Sequence, residues 1–390
     1  MNTKDLLSGY DLQNLAIGVL GGHSALDVCH GARQWGFRTL CVARKGRERT
    51  YTEYFRTKEL GPRTSDEGIS KGCIDEVILV EKFADVLRDD VQKKLREMST
   101  IFVHNRYFWV YFDDFSKVEN GFNVPIFGSR TLLKLEERDQ PYNQYHLLRD
   151  AGIRTPTIFA KPEEIDRPVL VKASEAQRGY ERAFFLVEDR HSWEAEGSRL
   201  EKEGKVTAKW RQAPLEEFVV GAPVNFNFFY SPLTKELELL GTDTRRQTNL
   251  DGFLRMTARE QAKALAHVDL KMIETGHIAC TVKESLLEKA FDLGEKFVKA
   301  TQDLHAKHPE LDPSGKGIIG PFALQGAVVA EEGKEDIVIF DVSLRIPGSP
   351  GIMATPYSGY LYGQSMSVGE RVGMEIRKAV EEGRVGEIVA

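Results

Sequence analysis

Residues 320–351 read GPFALQGAVVAEEGKEDIVIFDVSLRIPGSPG, two apolar runs on either side of an acidic turn at 331–336. Phe322, Leu324 and Val328 alternate with smaller or polar positions before the turn, and 337–342 is rich in β-branched residues after it. The stretch therefore predicts a hairpin. Each run carries one oxygen-bearing side chain in apolar company, Gln325 in the first and Asp341 in the second. A carboxylate in such company is costly unless a cation meets it. Arg345 is one candidate, which would make this a core hairpin with an Asp–Arg pair. A metal is the other, because hard cations such as Mg²⁺ take a few oxygen ligands from protein and the rest from phosphates and water. What precedes the hairpin decides between them.

At 390 residues the chain exceeds one ordinary core and predicts two or three packed units. Hydrophobic content of 41% with 29% charged residues describes a soluble globular protein. The net charge of −6 argues against a nucleic-acid binder that works through a basic surface. No apolar run reaches membrane-spanning length, and the polar segment behind Met1 is not a signal peptide, so a cytoplasmic protein without a membrane partner is expected. Cys29, Cys41, Cys73 and Cys280 are scattered, with no CxxC pair and no His at zinc spacing, the pattern of reduced thiols.

LAIGVL at 15–20 is a short buried strand, followed at once by Gly21, Gly22, His23 and Ser24 and then by a helical pattern ending at Gly36. With a second strand at 38–43 this is a βαβ unit whose glycines sit where free helix amides would meet an anion. His23 and Ser24 add side-chain donors for a phosphate, unless Ser24 simply caps the helix. No full GxGxxG is present, so the dinucleotide fingerprint is weak. Residues 57–74 read as a polar surface excursion, and strands at 76–80, 100–104 and 125–127 complete a small α/β unit. HNRYFWVY at 104–111 follows a strand and so lies at the carboxyl edge, where α/β folds bind ligands. A helix over 130–150 then ends at Ala151, Gly152 and the Thr155–Pro156 break.

A second unit starts there. The strand 169–171 ends on Lys172, either a point charge for a phosphate or a strand-end lysine reaching solvent. Residues 184–187 pair with it across a polar loop. LEEFVVG at 215–221 suits an adenine hinge read through the backbone of Glu216 and Val219. Strands at 224–230 and 236–241 follow, the second opening into a polar loop over 242–252 that holds Arg245, Arg246, Asn249 and Asp251. An amphipathic helix at 284–305 is core packing, and a helix at 369–381 closes the chain.

In this order the pieces resemble the ATP-grasp ligases. The resemblance implies a mixed α/β and α+β fold in three parts. These are a pre-ATP-grasp, Rossmann-like domain over 1–128, a linker helix with a small lobe over 129–212, and a large lobe over 213–390 that holds Mg-ATP and substrate. Over nearly its whole length the chain is similar to the archaeal formate-dependent ligases of purine (IMP) biosynthesis. These convert the amine AICAR to 5-formaminoimidazole-4-carboxamide ribonucleotide (FAICAR). The likeness is carried by LGGHS at 20–24, PIFG at 125–128, FYSPL at 229–233, ELLG at 238–241, NLDG at 249–252, GPF at 320–322 and PYS at 356–358.

The resemblance also implies roles. His23 and Ser24 would contact the ribonucleotide and Asn249 its base. Lys172 would serve as the catalytic, ATP-phosphate lysine, with Arg178 on the same nucleotide and Glu216 and Val219 at the adenine hinge. Gln325 and Asp341 would hold Mg²⁺, or Mn²⁺ in its place. The activity implied is C–N ligation through formyl phosphate, with formate and AICAR as substrates and a trimer or hexamer as the assembly. Several positions depart from the family pattern. Asp341 stands where glutamate is usual, and Tyr107 where a serine meets the substrate. The loop ASEAQRGY at 173–180 keeps one glycine of a glycine-rich stretch, with Arg178 in place of amide donors. IPGSPG at 346–351 replaces a glycine-glycine-threonine-asparagine segment. These changes fall at the site while the scaffold motifs are kept, which marks a divergent member. They leave open a carboxylate–amine ligase for another small molecule, or a nucleotide-binding paralogue without catalysis.

Overall fold

The apolar alternation that predicts the hairpin also places it at the centre of the molecule. A computed structural model describes residues 3–62, 68–112, 114–138, 140–173, 184–268, 270, 273–331 and 333–390. Strands β1 (Ala16–Leu20) and β2 (Arg38–Arg44) are followed by a small antiparallel pair, β3 (Lys58–Pro62) and β4 (Gly68–Lys71), within the expected surface excursion. Then come β5 (Glu76–Val80), β6 (Thr100–Val103) and β7 (Ile126–Phe127), which complete a parallel sheet of order β5-β2-β1-β6-β7. Every residue of β1 is buried, as a strand covered on both faces requires.

The second sheet is antiparallel, of order β10-β9-β11-β8, built from β8 (Ile158–Phe159), β9 (Val169–Lys172), β10 (Phe184–Val187) and β11 (Leu215–Glu217). The third holds the hairpin. Its strands are β12 (Ala222–Ser231), β13 (Glu236–Gln247), β14 (Glu274–Cys280), β15 (Gly320–Glu331) and β16 (Lys334–Ser343), in the order β14-β13-β12-β15-β16. The helix Leu287–Lys307 covers its back, where Phe322 stacks between Phe228 and Phe297 at centroid distances of 5.4 and 5.3 Å. Each such ring contributes about 1.5–3 kcal/mol by leaving water. The apolar face is thereby spent on the helix, and the opposite face carries the polar side chains of the hairpin.

Two elements differ from expectation. Residues 130–150 form no continuous helix but a single tight turn, Leu132–Glu136, and a short helix, Gln144–Asp150. Pro141 supplies no N–H between them, and Asn143 caps the second by accepting from Tyr145 N at 3.0 Å. The polar stretch after Gly241 is not a loop either. β13 continues to Gln247 because β14 pairs with it from Thr242↔Cys280 to Gln247↔Glu274.

The helix Val368–Glu381 returns to the first sheet and packs on the helix Ala25–Gln34. The backbones touch, since a Cβ at Gly31 would lie 2.1 Å from the carbonyl carbon of Gly369. Because the chain must cross back from β16 to this helix, residues 346–351 run directly over the loop after β1.

Candidate active site between the parallel sheet and the hairpin sheet

The loop after β1 forms one wall of the site. Gly22, at φ 143°, has Tyr107 lying over it, and a Cβ there would be 2.0 Å from the ring. Asn105 holds the turn by donating to the carbonyls of Leu20 (2.9 Å) and Gly22 (3.3 Å). His23 Nδ1 is 2.9 Å from Ser24 Oγ, and the Ser24 hydroxyl donates to Pro347 O at 2.6 Å. Ser24 stands at the helix start but makes no side-chain cap bond there. Its hydroxyl ties the first sheet to the exit loop of the hairpin.

Opposite this wall runs a chain of alternating charge. Lys172 ends β9 and pairs with Glu216 of β11 at 2.6 Å, both side chains 4% exposed. Tyr145 donates to Glu216 at 2.9 Å and accepts from Arg138 Nε at 3.0 Å. Arg138 donates to Asp341 at 2.9 Å. Arg245 lies 3.8 Å from the other Asp341 oxygen, donates to Gln325 Oε1, and reaches Glu274 at 3.2 Å. Glu274 meets His277 Nε2 at 3.0 Å, and His277 Nδ1 meets Asp243 at 2.5 Å. Asp243 accepts also from Asn225 (2.9 Å) and Asn227 (2.7 Å).

The charges respond to this company. Burial lowers the Lys172 ammonium to about 8, with Glu216 acting against it. Burial would lower His277 too, but its hydrogen bonds to Asp243 and Glu274 win and raise it to about 9, so it is an imidazolium at neutral pH. Burial works against the Glu274 carboxylate, yet His277 and Arg245 hold it down at about 2. Ser349 Oγ lies 3.1 Å from His277 Nδ1, the nitrogen already given to Asp243. With Nε2 taken by Glu274, no nitrogen is left to accept a serine proton, so these residues are not a nucleophilic triad.

Between the two walls is a cavity of about 30 Å³, room for about two water molecules. Arg106, Arg245 and Arg345 line it, with Asn227 and Gln325 among its other walls. Arg345 Nε and Asn227 Oδ1 are buried there without a hydrogen-bond partner among the described residues. Each such group costs about 1–3 kcal/mol until something satisfies it. A small anion answers the Arg345 Nε–H, and a separate hydrogen-bond donor answers Asn227 Oδ1. A wider hollow of about 460 Å³ opens beside it, lined by Arg246, Thr248, Asp251, Arg255 and Thr275.

Gln325 and Asp341 face each other across β15 and β16, their Cα atoms in register. An amide oxygen and a carboxylate oxygen suit a hard divalent cation that draws its other ligands from phosphate and water. Among the described residues no cluster of three or more His, Cys, Asp or Glu side chains is arranged to hold a metal alone. The donor set therefore fits a metal that arrives with a nucleotide. The cations standing at these oxygens are Arg138 and Arg245. Arg345, one of the two candidates for meeting Asp341, is instead 3.4 Å from Glu136.

The structure thus gathers His23, Ser24 and Tyr107 on one wall and Lys172, Glu216, Gln325 and Asp341 on the other. Asn249 stands apart, on the helix Thr248–Phe253 whose residues line the wider hollow. Val219 follows β11 in irregular backbone, and Arg178 lies outside the described residues. Sequence reading missed Arg138, Tyr145, Asp243, Glu274 and His277. The spacing of Asp243, Arg245 and Gln247 at every second residue was the available signal for a strand with one polar face.

Residues 193–390 match a family described as a domain of unknown function (DUF1297), and residues 17–159 one described as a protein of unknown function (DUF1246). The chain is 34% identical to the 5-formaminoimidazole-4-carboxamide-1-(beta)-D-ribofuranosyl 5'-monophosphate synthetase of Methanopyrus kandleri, over 99% of this chain and 98% of that protein. The crystal structure of an IMP biosynthesis protein from Thermococcus kodakaraensis superposes with a TM-score of 0.67 at 25% identity, covering 96% of this chain and 100% of that one. The N5-carboxyaminoimidazole synthetase of Staphylococcus aureus, solved with ADP, shares the fold at a TM-score of 0.55 and 12% identity, over 93% of this chain and 77% of that one.

Proposed function

The chain belongs to the family of 5-formaminoimidazole-4-carboxamide ribonucleotide synthetases, ATP-dependent ligases of purine biosynthesis with the ATP-grasp fold, and from that membership we propose how its own side chains join formate to the amine of AICAR. The observation that carries the reading is a small cavity lined by Gln325, Arg106, Arg245 and Arg345, joined from Arg245 through Asp341, Arg138, Tyr145 and Glu216 to Lys172.

Two displacements make up the reaction. A formate oxygen bonds to the γ-phosphorus of ATP as the bond to the β-phosphate oxygen breaks and ADP leaves. The AICAR amine then attacks the formyl carbon, the carbon–oxygen bond to phosphate breaks, and the amine proton passes to phosphate or solvent. An aromatic amine is a weak nucleophile, so free formate would be inert toward it. Little covalent work falls to the protein, and catalysis is positioning and electrostatics.

In this reading Lys172 is the point charge on the phosphates. Gln325 and Asp341 would hold Mg²⁺, which when bound offsets charge on the transferred phosphoryl group. Arg138 and Arg245 then exchange these oxygens for phosphate oxygens. Arg345 donates its buried Nε–H to the formate carboxylate. The backbone of Glu216 and Val219 reads the adenine, while the Glu216 side chain keeps Lys172 charged. His23, Ser24 and Tyr107 meet the ribonucleotide, with Asn249 at its base. Assembly as a trimer or hexamer, and a cytoplasmic location, belong to the same reading. Among the described residues no helix is long and apolar enough to cross a membrane.

The test is ADP release and product mass with ATP, formate and AICAR, each omitted in turn. ADP release independent of formate, or no formylated ribonucleotide, refutes the reading. Lys172→Ala and Asp341→Ala should each abolish product without unfolding the protein, and unchanged turnover removes that residue from its role.

A further inference from the structure

The small cavity is bounded on one side by a ring that has no freedom to turn away. His277 faces Arg245 across the β13–β14 ladder, and both side chains line the cavity. Asp243 holds its Nδ1 at 2.5 Å and Glu274 its Nε2 at 3.0 Å. Asp243 is itself fixed by Asn225 and Asn227. The roof of the cavity sits on this ring. Ser349 Oγ is 3.1 Å from His277, and Pro347 O accepts from Ser24 at 2.6 Å on the far side. Between them Gly348 has no room to spare, since a Cβ there would be 2.8 Å from His23 Nε2. Widening this space by one methyl group means breaking the hydrogen bonds that hold the turn to Ser24 and to His277.

The arginines draw in any carboxylate, so charge does not separate a one-carbon acid from a two-carbon acid. Only the walls do. We propose that His277, with the 347–349 turn seated on it, sets the size limit of the acid pocket and restricts the acyl donor to a one-carbon carboxylate. The proposal rests on the ligase reading above. His277 acts as a positioning residue, through the space it occupies and the turn it holds.

His277→Asn keeps an N–H for Asp243 and removes the bulk of the ring. Ser349→Ala keeps the ring and frees the roof. The measurement is kcat/KM for formate and for acetate at saturating ATP and AICAR, read as acylated ribonucleotide by mass and as ADP. Wild type should favour formate by about 10–200-fold, the range one methylene is worth in a fitted pocket. His277→Asn should shrink that preference about tenfold or more while the KM for ATP stays within about twofold. Ser349→Ala should shift it less, in the same direction, with an unchanged melting temperature. A preference unaltered in both variants overturns the proposal, as does a wild type that uses acetate as well as formate. If His277→Asn shows no melting transition, an unaltered preference in Ser349→Ala is enough to overturn it. No acylated product from either acid in wild type refutes the ligase reading, and the size limit with it.

Discussion

Glu216→Gln tests how the phosphate lysine is kept ready before any nucleotide arrives. The Lys172 and Glu216 side chains are 4% exposed and 2.6 Å apart, and Lys172 has weaker company in Tyr145 Oη at 3.4 Å and Phe340 O at 3.5 Å. Burial has already lowered the ammonium to about 8, with Glu216 as the largest influence in the other direction. The amide of Gln keeps the shape and removes the charge. Breaking a buried pair from one side costs about 3–5 kcal/mol, because the remaining charge is left without a counter-ion. The lysine escapes that cost by releasing its proton, so its pKa falls further. The direction with pH follows from linkage. A lysine lowered in the folded state weighs against folding below its folded pKa, and the penalty fades as pH rises toward the unfolded value of 10.5. Glu216→Gln should therefore lose about 3 kcal/mol at pH 7 and much less at pH 9, where the wild-type lysine is mostly neutral. Urea unfolding of Glu216→Gln, Lys172→Met and the double variant at both pH values gives the coupling energy, expected at about 2 kcal/mol or more at pH 7. A loss within about 0.5 kcal/mol at pH 7, or a coupling near zero, would show that the pair is not what holds the ammonium.

Two further outcomes follow. His277 rises from 6.5 to about 9 on folding, so its contribution is complete below pH 6.5 and lost as pH climbs through 9, a swing of about 3 kcal/mol. The stability difference between wild type and His277→Asn should shrink across that window, and parallel pH curves would refute it. Removing the guanidinium of Arg245 with Met should tighten binding of Mn²⁺ alone at Gln325 and Asp341, measured by calorimetry or electron paramagnetic resonance without nucleotide. Unchanged Mn²⁺ affinity would show that Arg245 is not competing for those oxygens.

How far the sequence could be read depended on where each residue's partners lie. The hairpin was legible because its apolar alternation is local, and Gln325 and Asp341 stood out as polar side chains among Phe322, Leu324, Ile337 and Ile339. Lys172 was legible as a strand end, and the structure keeps it there. β14 was not, because ETGHIAC alternates nothing apolar. It is an edge strand with one face on a polar cleft and Ile278 45% exposed on the other. The helix expected over 130–150 failed at Pro141, which local rules do signal, and with it went Arg138 and Tyr145. The side chain of Glu216 could not have been assigned at all. Leu170 is its partner in the ladder, and its turn toward Lys172 depends on Tyr145, 71 positions away.

The alternation of charge from Lys172 to Asp243 has a consequence for the order of events. Within the cleft each of these carboxylates has a cation, so the site satisfies itself: Asp341 by Arg138 and Arg245, Glu216 by Lys172, Glu274 by Arg245 and His277. A divalent cation entering alone must displace Arg138, whose ion pair with Asp341 is lost, and Arg245, which keeps only Glu274, in a cleft where Arg345 is already buried. That costs what separating buried charge pairs costs, about 3–5 kcal/mol. A nucleotide entering alone faces the reverse, since its phosphates draw Arg138, Arg245 and Lys172 away and leave Asp341 and Glu216 uncovered. Entering together, the metal takes Gln325 and Asp341 while the phosphates take the released guanidiniums, so Asp341, Arg138 and Arg245 each keep a partner of opposite charge. The cleft therefore favours the metal–nucleotide complex over either component, and the short reach of Asp341 strengthens the effect by keeping its carboxylate close to Arg138. Asp341→Glu should weaken this linkage, seen as Mn²⁺ and ATP binding separately more nearly as well as they bind together. A cooperativity between the two that is the same in Asp341→Glu as in wild type would show that the arginine exchange does not govern loading.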